Sequence, residues 1–222
     1  MGLRSWFKSA ADLWVFEWDT PEEAQQFATG LEEAAFDGAR SVYPAFDRVG
    51  VLADPLLFRA DLAASIASSL PISQQAVARQ WMVPVYFGAG EDLDEVAHTL
   101  GITDAELVQM HSAATYQCEA LGFRPGFPYL SGLPQSLCNL PRKSTPRPSV
   151  PPGSVGIVDD LCCIYPEGSP GGWNLIGRTP LQIADTEDGW FPLRTGDQIH
   201  FVPVSADEFD RLRGVRLGEW TL

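Results

Sequence analysis

The sequence predicts a mixed fold, a small α+β domain followed by a mainly-β barrel. Three observations carry this. Up to about Leu121, short apolar runs alternate with amphipathic helical stretches. Beyond Gly122 the punctuation changes: 11 of the 18 prolines fall between Pro125 and Pro180, where no helix of ordinary length can run. Short runs of β-type residues sit between those prolines, the pattern of a compact barrel with stiff loops. The change of pattern spans residues 85–120. It assigns the strand–helix layered domain to 1–84, and the barrel with an entering helical pair to 85–222.

Leu13 to Phe16 reads as the first strand. Thr20-Pro21-Glu22-Glu23 then supplies a cap, a proline at the first helical position and a capping-box glutamate. Ala24, Phe27, Ala28, Leu31, Ala34 and Ala35 follow at helical spacing and predict one buried stripe. Val49 to Ala53 is a second strand, Leu62, Ile66 and Leu70 mark a second helix, and Met82 to Phe87 a third strand. This β-α-β-α-β order predicts helices packed on one sheet face. Leu93, Val96, Ala97 and Leu100 make a stripe that stops at Gly101, and Thr103 to Glu106 is a second capping box, opening a helix that ends near His111. Tyr116 to Leu121 leads as a strand into the second half, where Ser154 to Val158, Leu161 to Tyr165, Leu181 to Ala184 and Gln198 to Val204 are the strand candidates.

Composition excludes some classes of function. Lys+Arg 15 against Asp+Glu 29 gives a net charge of −14. That argues against a nucleic-acid binder, which needs a basic face, and against docking on anionic membranes. No window approaches the ~18–20 apolar residues of a membrane span, and Ser9 and Asp12 interrupt any leader-like run near the start. A cytoplasmic location is the expectation. Cys118, Cys138, Cys162 and Cys163 form no CxxC pair, and neighbours such as Cys162 and Cys163 point to opposite faces of a strand. Reduced, partly buried cysteines are therefore expected, and no metal site.

The charge is unevenly spread. Between Ala120 and Val158 there is no Asp or Glu, while Arg124, Arg142, Lys143 and Arg147 lie there. Arginine's planar fork suits a carboxylate or phosphate, and a proline-stiffened loop loses little entropy in presenting it. Solvated loop cations, or partners for acidic surface elsewhere, are the plainer reading. Gly168-Ser169-Pro170-Gly171-Gly172-Trp173 is the other unusual segment: paired glycines allow close backbone approach, and Trp173 adds a large flat surface, although a tight turn with a core Trp is the plainer reading. No GxxxxGK[ST], GxGxxG or GxSxG motif occurs. His98, His111 and His200 are scattered, and no nucleophile pairs with a base at a recognisable spacing.

The motifs themselves carry a resemblance. Gly122-Phe123-Arg124-Pro125-Gly126-Phe127-Pro128-Tyr129-Leu130 resembles the GFxPGFPYL element of the 5-oxoprolinase B-subunit family. That family is also called allophanate hydrolase subunit 1 and includes the kinase inhibitor KipI. Pro141-Arg142-Lys143-Ser144-Thr145-Pro146-Arg147 and Val150 to Ile157 resemble its PRxxTPRxxVPxGSVGI. Ile164 to Pro166, Ser169 to Trp173 and Leu175 to Pro180 resemble its YPxxSPGGWxLIGRTP, and Gly196-Asp197 with Phe201 to Val204 its GDxxxFxPI. The resemblance runs from about Val83 to Val204. Two segments depart: Tyr86 to Leu93 replaces YGGExGPDL, and Asp159 to Cys163 replaces a Gly-Gln-Thr-Gly-like turn.

The resemblance implies a cyclophilin-like barrel from about residue 85 onward and work as a non-autonomous subunit of a hydrolase. In that family the B and C subunits act with the A subunit to open 5-oxoproline to glutamate at the expense of ATP, and related paired modules occur in urea-processing biotin enzymes. The partners implied are a carboxyltransferase-type C subunit and an A subunit. ATP is used by the complex, with no cofactor held here by a recognisable motif. Arg142, Arg147 and Arg178 are expected to recognise the anion, with Phe127, Tyr129, Tyr165, Gly171, Gly172 and Trp173 around a substrate- or partner-binding pocket. His111 stands at the family's helix-ending histidine, as a candidate acid–base group or a structural residue. The alternative the resemblance implies is a non-catalytic, KipI-like inhibitor of a sensor histidine kinase. Prolyl isomerase activity follows from barrel analogy alone.

Overall fold

A computed structural model describes residues 2–67 and 78–220, and the chain divides into two compact units, Met1–Ala78 and Arg79–Leu222. In the first, strands β1 (Leu3–Ala10), β2 (Leu13–Trp18), β3 (Ala39–Ala45) and β4 (Arg48–Ala53) form an antiparallel sheet in the order β1-β2-β4-β3. Alternation in β2 buries Trp14, Phe16 and Trp18. These pack with Ala24, Phe27, Ala28 and Leu31 of helix α1 (Pro21–Glu33). Thr20 Oγ1 accepts from the Glu23 amide at 3.3 Å, and Pro21 opens the helix as its φ preference dictates.

The helix stops at Glu33, so Ala34 and Ala35 do not extend the buried stripe; both are exposed, and Ala35 already has φ +43°. Helix α2 (Ala60–Ala67) buries Ala60 and Ala63, whereas Leu62, expected on the buried stripe, is 50% exposed. Leu70, expected on that stripe, lies outside the described residues. Two strands of this unit escaped the sequence pattern, as did Pro128–Ser131, Arg147–Val150, Ser169–Gly171 and Asn174–Arg178 in the second. Along β1 all side chains after Leu3 are exposed, so hydrophobicity does not alternate. Strand β3 carries Pro44, which an edge strand tolerates.

The second unit contains β5 (Gln80–Val85), α3 (Leu93–Leu100), α4 (Asp104–Ala113), β6 (Tyr116–Leu121), β7 (Pro128–Ser131), β8 (Arg147–Val150), β9 (Ser154–Val158), β10 (Leu161–Ile164), β11 (Ser169–Gly171), β12 (Asn174–Arg178), β13 (Gln198–Pro203) and α5 (Ala206–Arg211). Strand β5, expected as the last strand of the first layer, instead pairs in parallel with β13, from Gln80 opposite Gln198 to Val85 opposite Pro203. Both helix signals of the entering pair act as read. Gly101 ends α3 at φ +70°, and Thr103 and Glu106 satisfy each other's backbone amides at the start of α4.

Seven strands run in the order β12-β9-β10-β7-β6-β13-β5. The two ends of this sheet meet: Tyr86, just after β5, and Arg178, the last residue of β12, exchange backbone hydrogen bonds of 2.9 and 3.1 Å. The result is a nearly closed, barrel-like sheet that fits the cyclophilin-like expectation. Leu181 to Ala184 is not a strand. Pro180 precedes it without an amide hydrogen, Asp185 turns the chain after it, and only Gln182 pairs, with Arg216. Leu181, Ile183 and Ala184 are buried nonetheless, which is why the segment reads as apolar.

Gly153 fixes one corner of the barrel. Its amide donates to the Tyr165 carbonyl at 2.7 Å, its carbonyl accepts from Thr179 at 2.8 Å, and its φ is +81°. A Cβ there would lie 2.2 Å from the Thr179 oxygen. Gly153→Ala is therefore expected to lower stability by about 2 kcal/mol or more, measured as a shift in the denaturant midpoint at constant slope.

Candidate functional site

Strands β9, β10 and β12 are buried on both faces, and their side chains divide between two cores. Val155, Ile157, Cys162, Ile164 and Ile176 fill the barrel interior. Val158, Cys163, Tyr165 and Leu175 point the other way and meet Phe127, Val150 and Trp173 in a second, smaller core. Cys162 and Cys163 thus face opposite sides of one strand. All four cysteines are free thiols, and burial pushes Cys162 and Cys163 well above the usual thiol range, so both stay protonated and inert.

A cavity of about 290 Å³ opens over the second core. Phe127, Tyr129, Tyr165 and Trp173 form its aromatic walls. Phe127 meets Tyr165 edge-on at 5.2 Å and Trp173 at 6.1 Å, and Tyr129 lies 6.0 Å from Trp173. One lip carries Arg142 and Pro146, and an adjoining lip, paired with it through the β8–β11 ribbon, carries Pro170, Gly171 and Gly172. Phe123 and Arg124 complete the rim from the β6–β7 turn, where Phe123 has φ +68° and is 59% exposed. Gly171 is required where it stands, because a Cβ would lie 2.3 Å from the Tyr165 hydroxyl, whose ring is fixed in the second core. Gly172 faces only ordinary contacts, the nearest at 3.7 Å.

The charges around the cavity are sorted by one buried carboxylate. Asp92 Oδ1 accepts from Arg147 Nη2 at 2.6 Å and lies 3.0 Å from Lys143 Nζ, and its Oδ2 accepts from the Leu175 amide at 2.7 Å. Glu91 takes a second Arg147 nitrogen at 3.0 Å, and Glu95 takes Lys143 at 2.6 Å. Arg124 lies 3.7 Å from Glu167. Arg142 is exposed, lines the cavity and pairs with no carboxylate among the described residues. No carboxylate lines the cavity among the described residues. The site thus offers an aromatic slot with a guanidinium at its lip, an arrangement suited to a flat ligand bearing an anionic group.

The structure brings together Phe127, Tyr129, Arg142, Tyr165, Gly171, Gly172 and Trp173 around the cavity. Three other candidates lie away from it. The Arg147 guanidinium is occupied by Asp92, Glu91 and, at 3.4 Å, the Trp173 carbonyl, so it braces the lip from behind. Arg178 donates to the Pro152 carbonyl at 2.8 Å and sits at the seam of the barrel. His111 is fully buried against Phe87, Tyr116 and Phe201, with Nε2 3.5 Å from Cys162 Sγ, and does not reach the cavity. The sequence reading missed Asp92. As the acid just before the Leu93 stripe it looks like a helix cap, yet it makes no capping bond to α3.

Comparison with known proteins agrees with this architecture. The sequence model of the family "Carboxyltransferase domain, subdomain C and D" matches residues 6–191. The B subunit of 5-oxoprolinase from Bacillus subtilis is 35% identical over 199 residues, which is 82% of each chain. This chain belongs to the 5-oxoprolinase B-subunit family. The Escherichia coli O157:H7 member is 45% identical over 124 residues, 54% of this chain and 56% of that one. Among solved structures, TTHA0988 superposes with a TM-score of 0.74 at 34% identity. That match covers 84% of this chain but only 37% of TTHA0988. Urea amidolyase of K. lactis shares the fold at a TM-score of 0.74 and 19% identity; this chain spans 16% of it. No helix among the described residues is long and apolar enough to cross a membrane.

His111 yields a prediction about pH. Burial lowers its pKa from 6.5 to about 3. Below pH 6.5 the unfolded chain takes up a proton that the folded chain refuses, so stability is full above that pH and is lost as pH falls. His111→Phe removes this linkage. Between pH 6.5 and 5 the wild-type chain should lose about 1–2 kcal/mol more than the variant, read from denaturant melts at each pH. Parallel losses in the two chains would show that His111 is not buried neutral.

Proposed function

We propose that this chain is a non-autonomous component of an ATP-dependent 5-oxoprolinase, opening 5-oxoproline to glutamate together with a carboxyltransferase-type C subunit and an A subunit. The observation that carries the reading is the match to the Bacillus subtilis B subunit along most of both chains. The urea-processing relatives support a wider class of amide chemistry around the same fold, and they hold this module within much longer chains. A kinase-inhibitor role is not favoured by relatives that carry the 5-oxoprolinase name. The cytoplasm, where ATP is available, is the proposed location.

Within the complex the cavity takes the substrate. Arg142 receives the carboxylate through its two-pronged guanidinium, and Trp173, Phe127 and Tyr165 hold the ring in an apolar slot. Burial keeps the Tyr165 phenol neutral, so the wall adds no negative charge against an anionic ligand. ATP is bound elsewhere in the assembly, and the partner subunits complete the reacting centre around the cavity. The chain then contributes binding and orientation, and turnover depends on the partners.

The test is reconstitution. The purified chain should not turn over 5-oxoproline with ATP, and adding A and C subunits already shown active with another B subunit should restore turnover. Failure of the complete mixture would reject the enzyme-subunit reading. In the active mixture Arg142→Lys keeps the charge and loses the fork. It should raise KM for 5-oxoproline about tenfold, roughly 1.4 kcal/mol of binding, without moving Tm. An unchanged KM would remove Arg142 from substrate recognition.

A further inference from the structure

We infer that Asp92 is a positioning residue for the cavity, holding its two adjoining rim segments together and leaving Arg142 as the rim cation that has no carboxylate partner among the described residues. The Asp92 side chain is 4% exposed and reaches neither the solvent nor the cavity. It acts through others. Lys143 and Arg147, which it binds, flank Arg142 and Pro146 on one lip. Leu175, whose amide it accepts, continues the strand that follows the other lip, and the Asp92 amide in turn donates to the Leu175 carbonyl at 2.8 Å.

The lips are tied together at the same place. The Lys143 amide donates to the Gly172 carbonyl at 2.8 Å, and the Arg147 guanidinium reaches the Trp173 carbonyl. One carboxylate therefore terminates hydrogen bonds from the 141–147 segment and from the strand that continues 171–173. It also sorts the charge: with Glu91 and Glu95 it absorbs Lys143 and Arg147, the two lip cations that would otherwise compete with Arg142 for a bound anion. Neutralising Asp92 at constant size should loosen both lips and leave two cations without their shared buried partner.

The functional half of this inference rests on the proposal that Arg142 receives the substrate anion, whereas the positional half does not. Asp92→Asn should speed amide hydrogen exchange at Lys143, Arg147 and residues 171–173 of the full chain at least tenfold. The amides of β6 and β13 should keep their rates, and Asp92→Glu should recover part of the protection. In the assembled complex Asp92→Asn should raise KM for 5-oxoproline tenfold or more, with kcat within twofold. If Asp92→Asn fails to fold, Lys143→Met, which cuts one arm and keeps the Arg147 pair, should give the same pattern at threefold or more. Unchanged exchange in the two lips, or a uniform rise through the barrel, would overturn the positioning role. So would an unchanged KM where Arg142→Lys raises it. An unchanged KM in Arg142→Lys itself would instead fault the substrate reading of the cavity, with lip exchange still deciding the role of Asp92.

Discussion

The ion pair between Asp92 and Arg147, with Lys143 on the same oxygen, is the contact on which the candidate site depends. A carboxylate removed from water is costly unless its lone pairs are filled, and Asp92 fills them with two cations and the Leu175 amide. Removing one partner from such a cluster typically costs about 3–5 kcal/mol, because the remaining charge is stranded. The proline-rich segment from 141 to 147 has little regular structure before β8 to hold it. Its placement over the second core comes from this cluster, from the Lys143–Gly172 backbone bond, and from the β8–β11 ribbon, where Gly171 pairs with Arg147.

The cavity itself follows from the two-faced burial of β9, β10 and β12. In an ordinary barrel the outward face meets water, and alternate residues are polar. Here the outward side chains Val158, Cys163, Tyr165 and Leu175 are apolar or aromatic and require a cover. The ribbon and the β6–β7 turn supply it incompletely, and the remaining gap is walled by rings and rimmed by Arg142 and Arg124. Departure from the family pattern at Asp159 to Cys163 falls on the β9–β10 hairpin. Its tip, with Asp159 at φ +50°, is exposed, while Cys163 faces the second core beneath Trp173.

Much of this was legible in the residues because it rests on local rules. Thr20-Pro21, Gly101 and Thr103 with Glu106 act at helix ends whatever surrounds them, and the aromatic and glycine positions around Trp173 converge as their motif implied. What stayed hidden depends on distant partners. The pairing of β5 with β13 spans more than a hundred residues and has no local signature. Arg142 and Arg147 are alike in sequence, and only the buried Asp92 separates a braced guanidinium from an available one. His111 ends a short helix as an acid–base group could, but the three rings around it place it in the core. The apolar run from Leu181 to Ala184 is buried by packing, and Pro180 and the Asp185 turn keep it out of the sheet.

The most direct measurement is a structure of the assembled complex with 5-oxoproline bound. The account predicts the carboxylate on the Arg142 guanidinium, the ring against Trp173 and Phe127, and Arg147 still paired with Asp92. Density for the ligand at another site, with the cavity vacant or Arg142 turned to a partner carboxylate, would contradict it.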